Sequence, residues 1–214
     1  MICWFKTLQA CFLLVSIQLL SSCVIVPQEQ RQEPKSKANI QVELSQYKQS
    51  KFKQVEATFL THQSKALVFR VLSNINQTSQ WLQRVDSLEV LAVYNNHQYL
   101  LRTIINSPWP FQNRELITCV NTFFEENITT IKIFSCSDRV PLNDLYVRLL
   151  HVESSWKIRK ITDSLVEVNY KTWLDPAGTV PAFIFNSELI DSTEVDLKKL
   201  QTIIENASLD QYSY

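Results

Sequence analysis

Apolar and polar residues alternate along Phe52-Lys53-Gln54-Val55-Glu56-Ala57-Thr58-Phe59, which predicts a first strand over 52–59, whereas helical spacing over 44–49 is weak. The period then changes. Leu67, Val68, Val71, Leu72 and Ile75 fall on one helical face, so 64–75 reads as a helix, and Trp81, Leu82 and Val85 mark a second, shorter amphipathic piece. Alternation returns after Asp86. Leu88, Val90, Ala92 and Tyr94 lead into an Asn95-Asn96 turn, and Tyr99, Leu101, Thr103 and Ile105 lead back. A second hairpin is expected from 116–124 and 129–136, followed by a strand over 146–161 bulged near Ser154-Ser155 and another over 165–174. The last element is the longest. From 180 to 205, Phe183, Ile190, Leu197 and Ile204 recur every seven residues, with Leu189 and Leu200 widening the stripe, which predicts a helix roughly 37 Å long. Periodicity alone thus gives an antiparallel sheet packed on a helix.

Composition adds exclusions. The 214 residues carry 21 basic and 21 acidic side chains and are 45% hydrophobic, which suits one globular domain with a sizeable core plus extensions. A balanced charge provides no basic face for nucleic acid, so no nucleic-acid partner is expected. Gly178 is the sole glycine. Dinucleotide fingerprints, phosphate loops and the Gly-x-Ser-x-Gly elbow all need several glycines, and those enzyme classes drop out.

Residues 1–22 read as a signal peptide: Lys6 precedes an apolar run from Ala10 to Leu20, broken by Ser16 and Gln18. Leu20-Ser21-Ser22-Cys23 resembles a bacterial lipobox, which implies lipidation of Cys23 and cleavage just before it. An ordinary signal peptide or an uncut anchor is the alternative. Val24 follows Cys23, and in a Gram-negative host that sorting tendency favours the outer membrane, with the domain facing the periplasm. Residues 23–43 are rich in Gln, Glu, Lys and Pro and are expected to form a disordered tether, with a coil span on the order of 25 Å. With Cys3 and Cys11 in the removable segment and Cys23 acylated, Cys119 and Cys136 remain as a pair. In an oxidising compartment they invite a disulfide; the alternative is two small buried hydrophobes.

Ser107-Pro108-Trp109-Pro110-Phe111-Gln112-Asn113-Arg114-Glu115 is similar to the Pro-Trp-Pro-x-x-x-Arg-Asp signature of bacterial START-type lipid-binding domains. Val147-Arg148-Leu149, Ser155-Trp156-Lys157-Ile158, Asp175-Pro176-Ala177-Gly178 and Val180-Pro181-Ala182-Phe183 follow in the order of that family, so the resemblance runs from about Lys51 to about Ile204. Glu115 stands where the family more often has Asp, which keeps the charge. The resemblance implies an α+β helix-grip fold: about seven antiparallel strands curved around the C-terminal helix, with two short helices after the first strand. It puts the START-like domain at 44–206, with a tail at 207–214.

A curved sheet facing one helix leaves its concave side incompletely filled, which makes a cavity for an apolar ligand. The expected lining is Val120, which the resemblance turns inward, with Ile131, Ile133, Trp156, Phe183, Ile190 and Leu197. Cys119 and Cys136 then share the outer face, at bridging distance if their register is direct. The resemblance places Trp109 and Arg114 at the pocket mouth, Trp109 as packing between two prolines. Arg114 is expected to meet an ion pair or loop carbonyls, with a ligand headgroup as the competing role. Catalytic material is poor. His62, His97 and His151 show no metal spacing, and nothing selects among His151, Glu153, Glu167 and Tyr170 as an acid or base. No metal and no cofactor are therefore expected. A monomer that binds or transfers a lipid or other hydrophobic molecule is the leading expectation, with the membrane as partner through its lipid anchor. The alternatives are a cavity enzyme of the polyketide cyclase type and a tethered interaction module whose cavity is filled by Phe183 and Trp156.

Overall fold

The computed structural model describes residues 40–108 and 110–212. The strands are β1 (Gln41–Ser45), β2 (Gln54–Thr61), β3 (Val85–Asn95), β4 (Gln98–Ile105), β5 (Arg114–Phe124), β6 (Ile128–Ser135), β7 (Val147–Leu149), β8 (Val152–Thr162) and β9 (Leu165–Leu174). They form one sheet in the order β1-β2-β9-β8-β6-β5-β4-β3, antiparallel throughout, while β7 pairs in parallel with the start of β5. Two short helices, α1 (Lys65–Ser73) and α2 (Thr78–Trp81), follow β2, and the long α3 (Ala182–Asn206) closes the chain's fold. This is the expected helix-grip architecture, with nine strands among the described residues rather than about seven.

Alternation sets which side of each strand is buried. Val55, Ala57, Phe59 and Thr61 of β2 are buried together, and Val166 and Val168 of β9 continue the same concave face. That face packs on Leu67, Val68 and Val71 of α1 and on Leu197, Leu200 and Ile204 of α3 in one core. Ser64 starts α1, its hydroxyl accepting from the Leu67 N–H at 3.2 Å. Gly178, at φ 65°, supplies the left-handed turn before α3, just after Asp175 caps the Ala177 N–H at 2.9 Å.

Three expectations change. Residues 41–45, divided between tether and weak helix in the sequence reading, form β1, because Val42 and Leu44 find partners in Ala57 and Val55 across the sheet edge. The tail is likewise attached. Tyr212 is buried, its hydroxyl donating to Gln77 and its carbonyl accepting from Arg70. The strand expected over 146–161 is two strands broken at Leu150 and His151, since β7 joins β5 while β8 crosses to β6 and β9; Ser154 and Ser155 pair regularly with Thr172 and Lys171. Residues 1–39, with the signal peptide, Cys23 and most of the tether, lie outside the described residues.

The outer face of the sheet has its own small core of Leu100, Ile117, Cys119 and Cys136, covered by the segment that follows β6. Cys119 and Cys136 are joined by a disulfide with Cα atoms 5.7 Å apart. Their register is diagonal rather than direct. Cys119 faces Phe134, while the Cys136 N–H donates to the Ile117 carbonyl just past the end of β6.

Candidate functional site

Between the concave face, α2 and the first half of α3 lies a cavity of about 320 Å³. Its walls are mostly aliphatic and aromatic. Val120, Ile131, Ile133 and Trp156 all line it, each projecting from the inward position of its strand. The Trp156 ring stacks on Tyr170 with centroids 4.2 Å apart and takes the edge of Trp81 at 5.9 Å, so one end of the cavity is an aromatic wall.

The helix contributes other residues than the heptad reading chose. Phe183 is 76% exposed, Ile190 is half-buried and does not line the cavity, and Leu197 is packed in the core beside Leu200. An α-helix advances 3.6 residues per turn, so a strict seven-residue stripe rotates by about 20° per heptad. Counted back from Ile204, Phe183 has turned away by roughly 60°. Phe185, Glu188, Leu189, Ser192, Thr193 and Asp196 face the cavity instead.

Polar groups of α3 fasten it to the start of β3. Glu188 forms an ion pair with Arg84, and the Asp196 carboxylate accepts from the Gln83 N–H at 3.1 Å. Burial pushes the Asp196 pKa up, and the Gln83 contact only partly opposes this. The Tyr170 phenol is pushed up to about 12, first by burial, so it stays neutral; the nearby Thr172 and Ser154 hydroxyls only partly oppose the rise. Periodicity did carry a signal for these groups, since Ser154 and Thr172 are polar residues at inward strand positions.

Beside the cavity, and sharing Arg84, Ile105, Leu174, Phe185 and Glu188 with it, is a smaller recess of about 130 Å³ lined by Arg114, Phe111 and Pro108. Arg114 is buried, and no carboxylate pairs with it among the described residues. Its guanidinium donates to the carbonyls of Gln112 and Pro176 and lies 5.5 Å from the centre of the Phe111 ring. Desolvation lowers its pKa, though a guanidinium remains charged at neutral pH. The ion pair belongs to its neighbour. Glu115 is 1% exposed and binds Arg102 and Arg148 at 2.7 Å each on the outer face. Trp109 lies outside the described residues. The loop around it is closed by Asn113, which accepts from the Ser107 N–H and donates to Asn106, both at 3.0 Å.

Of the four titratable candidates, His151 and Glu153 are exposed, Glu167 pairs with Arg159 away from the cavity, and Tyr170 lines it. His62 contacts the Ser164 carbonyl, and His97 lies against Phe124.

No family model matches the chain. An uncharacterized protein of Pseudomonas aeruginosa is 21% identical over 172 residues, which cover 80% of this chain and 85% of that one. Among solved structures, a STAR-related lipid transfer protein fragment from Xanthomonas axonopodis superposes with a TM-score of 0.70 at 20% identity, covering 77% of this chain and 93% of that one. Human StAR-related lipid transfer protein 5 gives 0.69 at 12% identity over 77% and 81% of the two chains. The Zhui aromatase/cyclase from a Streptomyces species gives 0.51 at 12% identity over 71% and 93%. At such identities the likeness is one of fold, and the chain has the START-like helix-grip fold.

Proposed function

We propose that this protein binds a lipid or other hydrophobic molecule in the cavity between the sheet and α3, and that it stores or transfers that molecule. The observation that carries the reading is the cavity itself: about 320 Å³ of mostly apolar space held open behind a long helix, at the lower end of the sizes found for small-molecule sites. Two of the similar folds are lipid transfer proteins by name, which supports the same class of ligand. The fastening of α3 by Arg84–Glu188 and Gln83–Asp196 makes the start of that helix the natural gate, since ligand entry requires those contacts to part.

Filling the cavity tests this. Val120 is buried in the main core and also lines the cavity opposite Tyr99 and Ile133, so the added volume of Val120→Trp has the cavity to enter. Uptake of an apolar fluorescent probe should weaken at least tenfold while the thermal midpoint stays within a few degrees. Unchanged uptake would place the ligand elsewhere.

The same reading anchors the domain to a membrane through acylated Cys23, in the bacterial envelope and, on the Val24 argument, at the outer membrane facing the periplasm. Burial of acyl chains contributes about 0.8 kcal/mol per methylene, so a multiply acylated terminus holds far better than one chain. Cells fed a fatty-acid analogue should label the wild-type protein, and Cys23→Ser should lose the label. Equal labelling of the two would remove the anchor from the proposal.

A further inference from the structure

The apolar lining of the cavity is interrupted where three hydroxyls meet. Ser154 and Thr172 face one another across β8 and β9 with their oxygens 2.5 Å apart, and Tyr170, two residues before Thr172 on the same face, brings its phenol close to both. All three line the cavity, beside the stacked Trp156. Each hydroxyl has one proton and two lone pairs to place. Even if every proton is used within the cluster, three of its six lone pairs keep no donor among these three groups. Rotation of one hydroxyl frees a donor as well.

The surrounding charges limit what can complete this cluster. Across the cavity stands the carboxylate of Asp196, which raises the cost of a second negative charge near Tyr170. Among the described residues, the one basic side chain on the cavity wall is Arg84, already paired with Glu188, and Arg114 lies in the neighbouring recess. A phosphate or carboxylate at the hydroxyls would therefore be buried without a cation. An ammonium at the cluster would find only hydroxyl oxygens as acceptors, because neither carboxylate of the cavity wall, Glu188 or Asp196, is hydrogen-bonded to Ser154, Tyr170 or Thr172.

We infer that the ligand is a slender apolar molecule with a single neutral hydroxyl, which it sets on Ser154, Tyr170 and Thr172 while its hydrocarbon part fills the rest of the cavity. This rests on the reading of the cavity as a hydrophobic-ligand site and adds the head group and its orientation. The hydroxyl both donates to a free lone pair and accepts from whichever cluster proton turns toward it, so no polar atom of either partner is left unmatched.

The test is competition on the full chain, in which decane, 1-decanol, decanoate, decyl phosphate and decylammonium displace a bound fluorescent apolar probe. Decanol should act at about one tenth of the concentration needed for decane, the size of one well-made hydrogen bond, and ahead of all three charged compounds. In Ser154→Ala/Thr172→Val the decanol advantage should vanish while displacement by decane is unchanged. Tyr170→Phe, which keeps the stack on Trp156, should retain part of the advantage and shows that loss does not come from misfolding. Equal potency of decanol and decane on the wild type, a charged compound in the lead, or an advantage that survives the double substitution overturns the inference while leaving the carrier reading intact. A probe that never binds sinks both.

Discussion

Glu115→Gln is expected to destabilise the fold by about 3 kcal/mol or more, read as a shift of the denaturant midpoint at unchanged slope. The carboxylate is 1% exposed and is shared between two guanidiniums, of which Arg148 is 4% exposed and Arg102 28%. An amide of the same size turns a donor toward Arg148 and leaves a buried cation uncompensated, and breaking a buried pair from one side costs far more than the pair itself contributes. Arg148 also donates to the carbonyls of Ser137, Val140 and Pro141, so its displacement releases the segment that covers the outer face. Arg102→Ala should cost much less, because solvent screens that side of the network. Replacing both buried partners, with Glu115→Leu and Arg148→Met, should recover part of the loss. A Glu115→Gln protein as stable as the wild type would mean that the network is ornamental.

The contrast between Glu115 and Arg114 shows where sequence reasoning reaches and where it stops. Period-two alternation located most strands and the inward positions of Ile131 and Ile133 because each sheet face has one environment along its length, whereas on β5 both faces are apolar and the family resemblance was needed to turn Val120 inward. The strip at Gln41–Ser45 was not legible, since its alternation rests on two apolar residues, Val42 and Leu44, at the end of a polar stretch, and an edge strand is stabilised by its one neighbour. Phe183 was misplaced because a heptad stripe is a statement about a partner helix, whereas α3 packs on a sheet and follows the true helical period. That two adjacent charged residues of a strand face opposite sides is legible as alternation. Their partners are not: Arg148 and Glu115 are 33 residues apart, and only the parallel pairing of β7 with β5 brings them together. The same holds for Arg84 with Glu188 and for Gln83 with Asp196, whose meeting depends on how α3 lies over the sheet.

Loss of the Cys119–Cys136 bridge, by Cys136→Ser or by reduction, should cost about 3 kcal/mol, the chain-entropy value for a loop of this length. The two residues are separated by 17 positions, and the bridge ties the end of β6 diagonally back to β5 over the small outer core of Leu100 and Ile117. The effect belongs to the outer face. Probe uptake by the cavity should therefore persist in the reduced protein below its lowered unfolding midpoint, because the concave wall has no share in the bridge. Arg148 holds the same covering segment a few residues further on, through the carbonyls of Ser137, Val140 and Pro141. Once either clasp is gone the segment has little left to hold it, so the loss on adding Glu115→Gln to Cys136→Ser should fall short of the sum of the two single losses. A double-variant cycle at fixed pH under non-reducing conditions measures this. Full additivity would mean that the bridge and the ion pair secure separate parts of the outer face, and a wild-type protein whose midpoint ignores reductant would mean that the bridge contributes nothing to the fold.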